Sequence, residues 1–236
     1  MSRVVSKPRP VVPPVLPLEP GDHLTRDEFE RRYDATPGLK KAELIEGVVY
    51  MPPPAVRWDF HGGPQFELIY WLGVYRAATP GVLGGDNSSV RMDLKNEPQP
   101  DAFLFVDPQC GGAARINEGY IEGAPELVAE VSSSTVSIDL NSKFRVYRRN
   151  AVQEYLVWRV RDRAIDWFAL GDGDYSRLPV DSDGIIRSRV FPGLWLPPES
   201  MLATDSPAVI RAIQQGIESP EHAEFVAKLQ SSRSGA

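Results

Sequence analysis

Glu126-Leu127-Val128-Ala129-Glu130-Val131, closed by Ser132-Ser133-Ser134-Thr135, is followed by Asp139 to Asn150 and then by the two runs Tyr155 to Arg161 and Ala164 to Leu170. The first run is short, rich in Val and Leu and bounded by Pro125, which reads as a buried strand. From Asp139 onward Leu140, Phe144 and Tyr147 fall on one stripe and the basic residues largely on the other, the pattern of an amphipathic helix. The last two runs alternate like paired strands. A strand, a helix and further strands imply a mixed α/β layer structure, with a central sheet flanked by helices and a C-terminal β meander.

Upstream, Ser88 to Leu94 and Asp101 to Val106 read as two more strands. Trp58 to Ala78 reads as a helix whose buried face carries Phe66, Ile69, Tyr70, Leu72, Gly73 and Val74, and Pro80-Gly81 ends it. Leu44 to Tyr50 bends around Glu46-Gly47 as a hairpin or two short strands, and Thr25 with Glu28 fits a capping box for a helix over Arg26 to Asp34. Downstream, Gly171-Asp172-Gly173-Asp174 fits turn chemistry better than a calcium loop. Ser206-Pro207 and Ser219-Pro220 start two helices, the first with Val209, Ile210, Ile213 and Ile217 on one face. These readings divide the chain into a proline-rich, unpacked tail at residues 1–22, a domain at residues 23–203 and a helical tail at residues 204–236.

The 236 residues suffice for one domain with a sizeable core, and 42% apolar with 25% charged residues is ordinary globular composition. No apolar stretch reaches the length of a membrane span, and the first residues lack the form of a secretory signal, so the expected setting is the cytoplasm. Cys110, the single cysteine, is expected to be inert. The net charge of −6 argues against coating nucleic acid over the whole surface. Between Asp139 and Arg163, however, seven basic residues face three acidic ones, a local balance of +4 that fits either a solvated face or a phosphate-binding patch.

Common nucleotide, serine-hydrolase, zinc-protease and CxxC motifs are absent. Among the histidines, His61 stands at the start of the long helix, where capping or packing competes with a catalytic role. Asp101 opens one apolar strand and Glu130 lies near the end of another, so both acids sit at the margins of buried strands and need partners. A hard divalent cation is one such partner, ordinary strand-end ion pairing another. Lys143, four residues after Asp139, is on a helix face from which it could reach back toward the strand end.

In order along the chain, Glu43-Leu44-Ile45-Glu46-Gly47-Val48-Val49, His61, Pro100-Asp101-Ala102, Glu130-Val131-Ser132-Ser133-Ser134-Thr135, Asp139-x-x-x-Lys143-x-x-x-Tyr147 and Val152-Gln153-Glu154-Tyr155-Leu156-Val157 resemble the Uma-two family of bacterial restriction endonuclease-like proteins, over about residues 24 to 203. That family is similar to the PD-(D/E)XK nucleases. The resemblance implies a restriction-endonuclease-like core and Mg2+, with Mn2+ as a substitute. It also implies Asp101 and Glu130 as metal ligands, the backbone carbonyl of Val131 as a third, Lys143 as catalytic lysine and Glu43 as accessory acid. The implied substrate is DNA; the basic segment offers Arg145, Arg148 and Arg149 to hold it, and whether the protein pairs into a homodimer to cut both strands is left open. Ser132 replaces the lysine that the parent motif carries two residues after the glutamate, so the role of Lys143 rests on its reach from the following helix. Glu46 stands where relatives often have Asp, which leaves open whether Glu43 or Glu46 is nearer the metal. A nuclease fold without catalysis, used for nucleic-acid binding or assembly, is the alternative reading.

Overall fold

In the computed structural model, residues 15–52 and 56–234 are described. The chain enters through α1 (Arg26–Asp34) and a hairpin of β1 (Glu43–Ile45) and β2 (Val48–Tyr50). Ile45 pairs with Val48, so Glu46-Gly47 is a two-residue turn, and both residues take positive φ (54° and 78°) as such a turn demands. A π-helical turn, Trp58–Gly62, runs into α2 (Gly63–Ala78), followed by β3 (Val82–Gly85), β4 (Val90–Arg91) and β5 (Ala102–Val106). After the hairpin of β6 (Arg115–Asn117) and β7 (Tyr120–Glu122) come β8 (Leu127–Ser132), a second π-helical turn (Ile138–Lys143) and α3 (Phe144–Arg149). The meander β9 (Glu154–Arg159), β10 (Ala164–Gly171) and β11 (Asp174–Arg177) precedes the short pair β12 (Ile186–Arg187) and β13 (Trp195–Leu196). The helices α4 (Pro198–Leu202), α5 (Ser206–Ile217) and α6 (Pro220–Ser234) close the fold.

The main sheet has six strands in the order β11-β10-β9-β8-β5-β3. Only β8 and β9 are parallel, joined by the crossover through α3, and the other neighbours are antiparallel. Alternation assigns the strand residues to two layers. Leu127, Ala129 and Val131 face a core built with Trp71 and Tyr75 of α2 and with Val209 and Ile213 of α5. Val128, Phe103, Phe105 and Val157 face the other layer, where Tyr147 of α3 and Ile121 of the small β4-β7-β6 sheet pack.

Several expectations need correction. Ser88 to Leu94 supplies only two strand residues, in the small sheet, and the edge of the main sheet is β3 instead. Gly84-Gly85 hides that strand from a propensity reading, yet the glycines are what lets it close on β5, since a Cβ at Gly85 would lie 2.7 Å from the Phe103 ring. The capping box does not form: Thr25 makes no side-chain cap, and Glu28 is taken by Arg31 and Arg32 at 2.7 and 2.6 Å. On α2 the buried face is Leu68, Trp71, Leu72 and Tyr75, whereas Phe66, Ile69 and Tyr70 are exposed.

The tail boundaries shift as well. Residues 1–14 lie outside the described residues, but 15–22 do not form an unpacked tail: Leu18 is buried beside Phe29 and Leu44, and Gly21 donates its N–H to Val49. Residues 204–234, the described part of the segment read as a helical tail, pack against the domain. Val209 and Ile213 sit in the main core, and Gly216 passes so close to the Gly193 carbonyl that a Cβ there would lie 2.1 Å from it.

Candidate active site

In the antiparallel pairing of β5 with β8, Ala102 is opposite Ala129 and Phe103 opposite Val128. Continuing that register by one residue sets Asp101 opposite Glu130, and both share the face of Phe103 and Val128, toward α3. Directly opposed residues have Cβ atoms about 5 Å apart, and like charges there repel. Both side chains are 3% exposed. The sheet therefore sets two carboxylates side by side in a dry place, which requires nearby positive charge.

Part of that charge comes from Lys143. The π-helical turn carries Asp139 and Lys143 to its inner face, where both are buried. Such turns insert one residue into the helical ladder and are frequent at functional sites. The Lys143 ammonium lies 2.9 Å from Glu130 Oε1 and 2.8 Å from Glu43 Oε1, with Asp139 Oδ1 at 3.9 Å. Burial works against the charged lysine, but the three carboxylates outweigh it and raise its pKa well above the usual value. One helical turn later, the Tyr147 hydroxyl donates to Glu130 Oε1 at 2.7 Å, so both donors converge on a single oxygen.

Glu130 itself is pushed up to about 8, first by burial and then by Asp101, Asp139 and Glu43, against the pull of Lys143. Asp101 behaves differently. Burial alone would raise it, but His61, Lys41 and Lys143 hold it below the usual carboxylate range. Its Oδ2 accepts the N–H of Val131 at 2.8 Å, while Oδ1 faces Lys41 Nζ and His61 Nε2, each at 3.5 Å. The other ring nitrogen of His61, Nδ1, lies 3.2 Å from the Val131 carbonyl oxygen. Asp101 raises the pKa of His61. Its position follows from the first π-helical turn, which begins α2 as the second begins α3.

The residues singled out in the sequence thus fall into two groups. Asp101, Glu130, Val131, Lys143 and Glu43 are brought together. Of the two glutamates left open, Glu43 reaches Lys143, whereas Glu46 turns outward to Arg145 at 2.7 Å. The basic face is a different matter. Arg145 is paired with Glu46, Arg148 with Asp174 at 2.8 Å, and Arg149 lies 3.9 Å from Glu46 and 3.8 Å from Asp93. The +4 count along the chain is therefore offset in space by acids from other segments. His61 and Tyr147, which the sequence offered only as part of the family resemblance and, for His61, as a catalytic role competing with capping or packing, both touch the site, and Lys41 joins it with no signal in the sequence.

The donor set fits a hard divalent ion. Among the described residues no group of three or more His, Cys, Asp or Glu side chains is arranged to hold a metal. Magnesium does not need one, since it commonly takes one or two carboxylates and keeps several waters. Asp101, Glu130 and the Val131 carbonyl are oxygen donors of that kind. Around them, four carboxylates (Asp101, Glu130, Glu43, Asp139) meet two ammonium groups and one imidazole, and burial is the main reason that Glu130 is raised.

Comparison with known proteins bears on the fold and the family. A crystal structure of a "putative nuclease belonging to DUF820" from Anabaena variabilis ATCC 29413 is similar at a TM-score of 0.55 and 11% identity, over 80% of this chain and 99% of that one. At that identity the likeness shows the fold, which is restriction-endonuclease-like. Comparison with curated protein sequences gives no match. The profile of the Uma2 family, described as "Putative restriction endonuclease", matches residues 26–199, and the chain belongs to that family.

Proposed function

We propose that this nuclease-like protein is a Mg2+-dependent endonuclease that hydrolyses DNA phosphodiester bonds by attack of an activated water. The observation that supports it most is the Lys143 ammonium, buried within 3 Å of Glu130 and Glu43 beside the opposed Asp101. Asp101, Glu130 and the Val131 carbonyl would hold the ion, and Mn2+ could replace it. A bound Mg2+ would act as a Lewis acid on the scissile phosphate and lower the pKa of water.

The chain's own groups supply the rest. Tyr147 and Lys143 fix the Glu130 carboxylate by bonding one of its oxygens, which leaves the other for the ion. Glu43 holds the lysine from the opposite side, while its Oε1 also accepts the Gln99 N–H at 2.8 Å. The lysine is thereby kept protonated and aimed, suited to orient water and to offset charge on the transferring phosphoryl group. Val131 ties Asp101 to the strand that carries Glu130, so the two carboxylates move as one unit. No covalent intermediate is needed. The expected setting is inside the cell with DNA as partner; among the described residues no helix is long and apolar enough to cross a membrane.

The test is nicking of supercoiled plasmid. Cleavage is expected with Mg2+ or Mn2+, none with EDTA, and none with Asp101→Ala or Glu130→Ala. Metal-independent DNA binding without cleavage would favour a binding or assembly module instead.

A further inference from the structure

The turn that delivers His61 to Asp101 also presents an outer surface that the site does not use. Within Trp58–Gly62, Trp58 is 78% exposed, an unusual position for the largest apolar side chain. Phe60 is clasped between two guanidinium groups, Arg57 at 4.6 Å and Arg161 at 4.5 Å from its ring centroid. One turn into α2, Phe66 is 69% exposed. Between these aromatics and the end of β9 runs an open groove of about 340 Å³, lined by Arg163 and also by Asp59, which is paired with Arg57, and Glu67, which accepts from Ser206. Arg161 also donates to Ser133 at 3.3 Å, in the loop that follows Glu130 and Val131. Arg161 thus joins this surface to the loop that follows the strand of Glu130.

Solvent-facing aromatic rings interleaved with arginines are the composition of a surface that stacks bases and tracks a phosphate backbone. An aliphatic face would fit self-association better. The ion pair of Arg57 with Asp59 is exposed on both sides and so exchanges readily with a phosphate. Arg145, Arg148 and Arg149 are also part-exposed and paired with carboxylates, so what distinguishes the Trp58 surface is its aromatic rings. We infer that the strand entering the active site runs over the Trp58, Phe60 and Phe66 groove with its bases unpaired, so that the preferred substrate is single-stranded or locally opened DNA. This inference rests on the proposed nuclease reading and narrows its substrate.

Binding in EDTA separates the two. A labelled oligonucleotide and the blunt duplex of the same sequence are titrated with the full chain and followed by fluorescence anisotropy. The single strand is expected to bind at least about tenfold more tightly. Trp58→Ala should lose about tenfold on the single strand, the size of one base stack, and clearly less on the duplex. Trp58→Phe, which keeps a stacking ring, should recover most of that loss. The melting temperature of each variant verifies that it is folded, and little change is expected at so exposed a position. Equal affinity for the two DNA forms, or single-strand affinity unmoved by Trp58→Ala, would overturn the inference. So would conversion of a dimer to a monomer by Trp58→Ala with DNA binding intact, the mark of a self-association face. Plasmid cleavage that depends on Asp101 would still stand in each of those cases, and Trp58-dependent binding without any cleavage would leave the groove standing while the nuclease reading fails.

Discussion

Lys143 Nζ lies 2.9 Å from Glu130 Oε1 although thirteen residues and a complete π-helical turn separate the two in the chain. Both are 4% exposed or less, and Glu43 and Asp139 share the same ammonium. A buried cation with several carboxylate partners is far more sensitive to loss of one member than a surface pair is.

Lys143→Met should therefore destabilise the protein by about 3–5 kcal/mol, because it leaves buried carboxylates without a counter-charge. Combining it with Glu43→Gln should cost less than the two single changes added together, since the second removes one of the orphaned charges. Urea denaturation of the four proteins measures the coupling. Additivity would mean that Lys143 and Glu43 do not act as a unit.

Tyr147→Phe keeps the ring that packs on Tyr155 at 4.8 Å and removes only the hydroxyl bonded to Glu130. With Glu130 pushed up to about 8, this is a bond to a largely neutral carboxyl near pH 7, and such a bond contributes about 0.5–1.5 kcal/mol. A loss within that range is expected in denaturant unfolding, together with weaker cleavage, because Glu130 loses one of the two groups that orient it.

Outside the site, Glu97 gives a pH signature. Its carboxyl is raised from 4.5 to about 8, first by burial and then by neighbouring Glu30, and its Oε2 is without a hydrogen-bond partner among the described residues. A carboxyl raised in the folded state adds stability that is fully present below about pH 4.5 and is lost as pH climbs through about 8. Glu97→Gln keeps a donor for Glu30 without the charge. It should match wild type near pH 4.5 and melt higher above pH 8, by about 2–4 °C for each kcal/mol released. A difference that does not change with pH would contradict this assignment.

Gly216 marks how tightly the last helices are bound. With a Cβ only 2.1 Å from the Gly193 carbonyl oxygen and 2.9 Å from Trp195, Gly216→Ala forces backbone apart. A loss of about 1–3 kcal/mol is expected, and a chain ending at residue 203 should be poorly soluble because it uncovers Trp71 and Leu194.

The strands β5, β8, β9 and β10 were legible because each is a short Val-, Leu- or Phe-rich run between breakers. So was the pair Asp101 and Glu130, an acid at the margin of each of two such strands. What escaped depended on the other half of a contact. β3 reads as a loop because its two glycines serve Phe103 and Leu104 across the sheet rather than any local preference. The buried face of α2 is turned from Phe66, Ile69 and Tyr70 to Leu68, Trp71 and Tyr75, because the π-helical start and the C-terminal helices decide which side is covered. The basic run of α3 could not reveal Glu46, Asp93 and Asp174, which come from three distant segments. His61 could not be assigned by type alone, since its role comes from the neighbours at its two ring nitrogens.

The central claim is that Asp101 and Glu130 form one cation-binding pair, and thermal unfolding of wild type and Glu130→Gln with and without Mg2+ tests it most directly. Mg2+ should raise the melting temperature of wild type. Glu130→Gln should melt no lower than wild type without the ion, because the carboxyl it replaces is already pushed up to about 8, and should gain nothing when the ion is added. An equal Mg2+ shift in both proteins, or none in a wild type that cleaves DNA, would contradict the account.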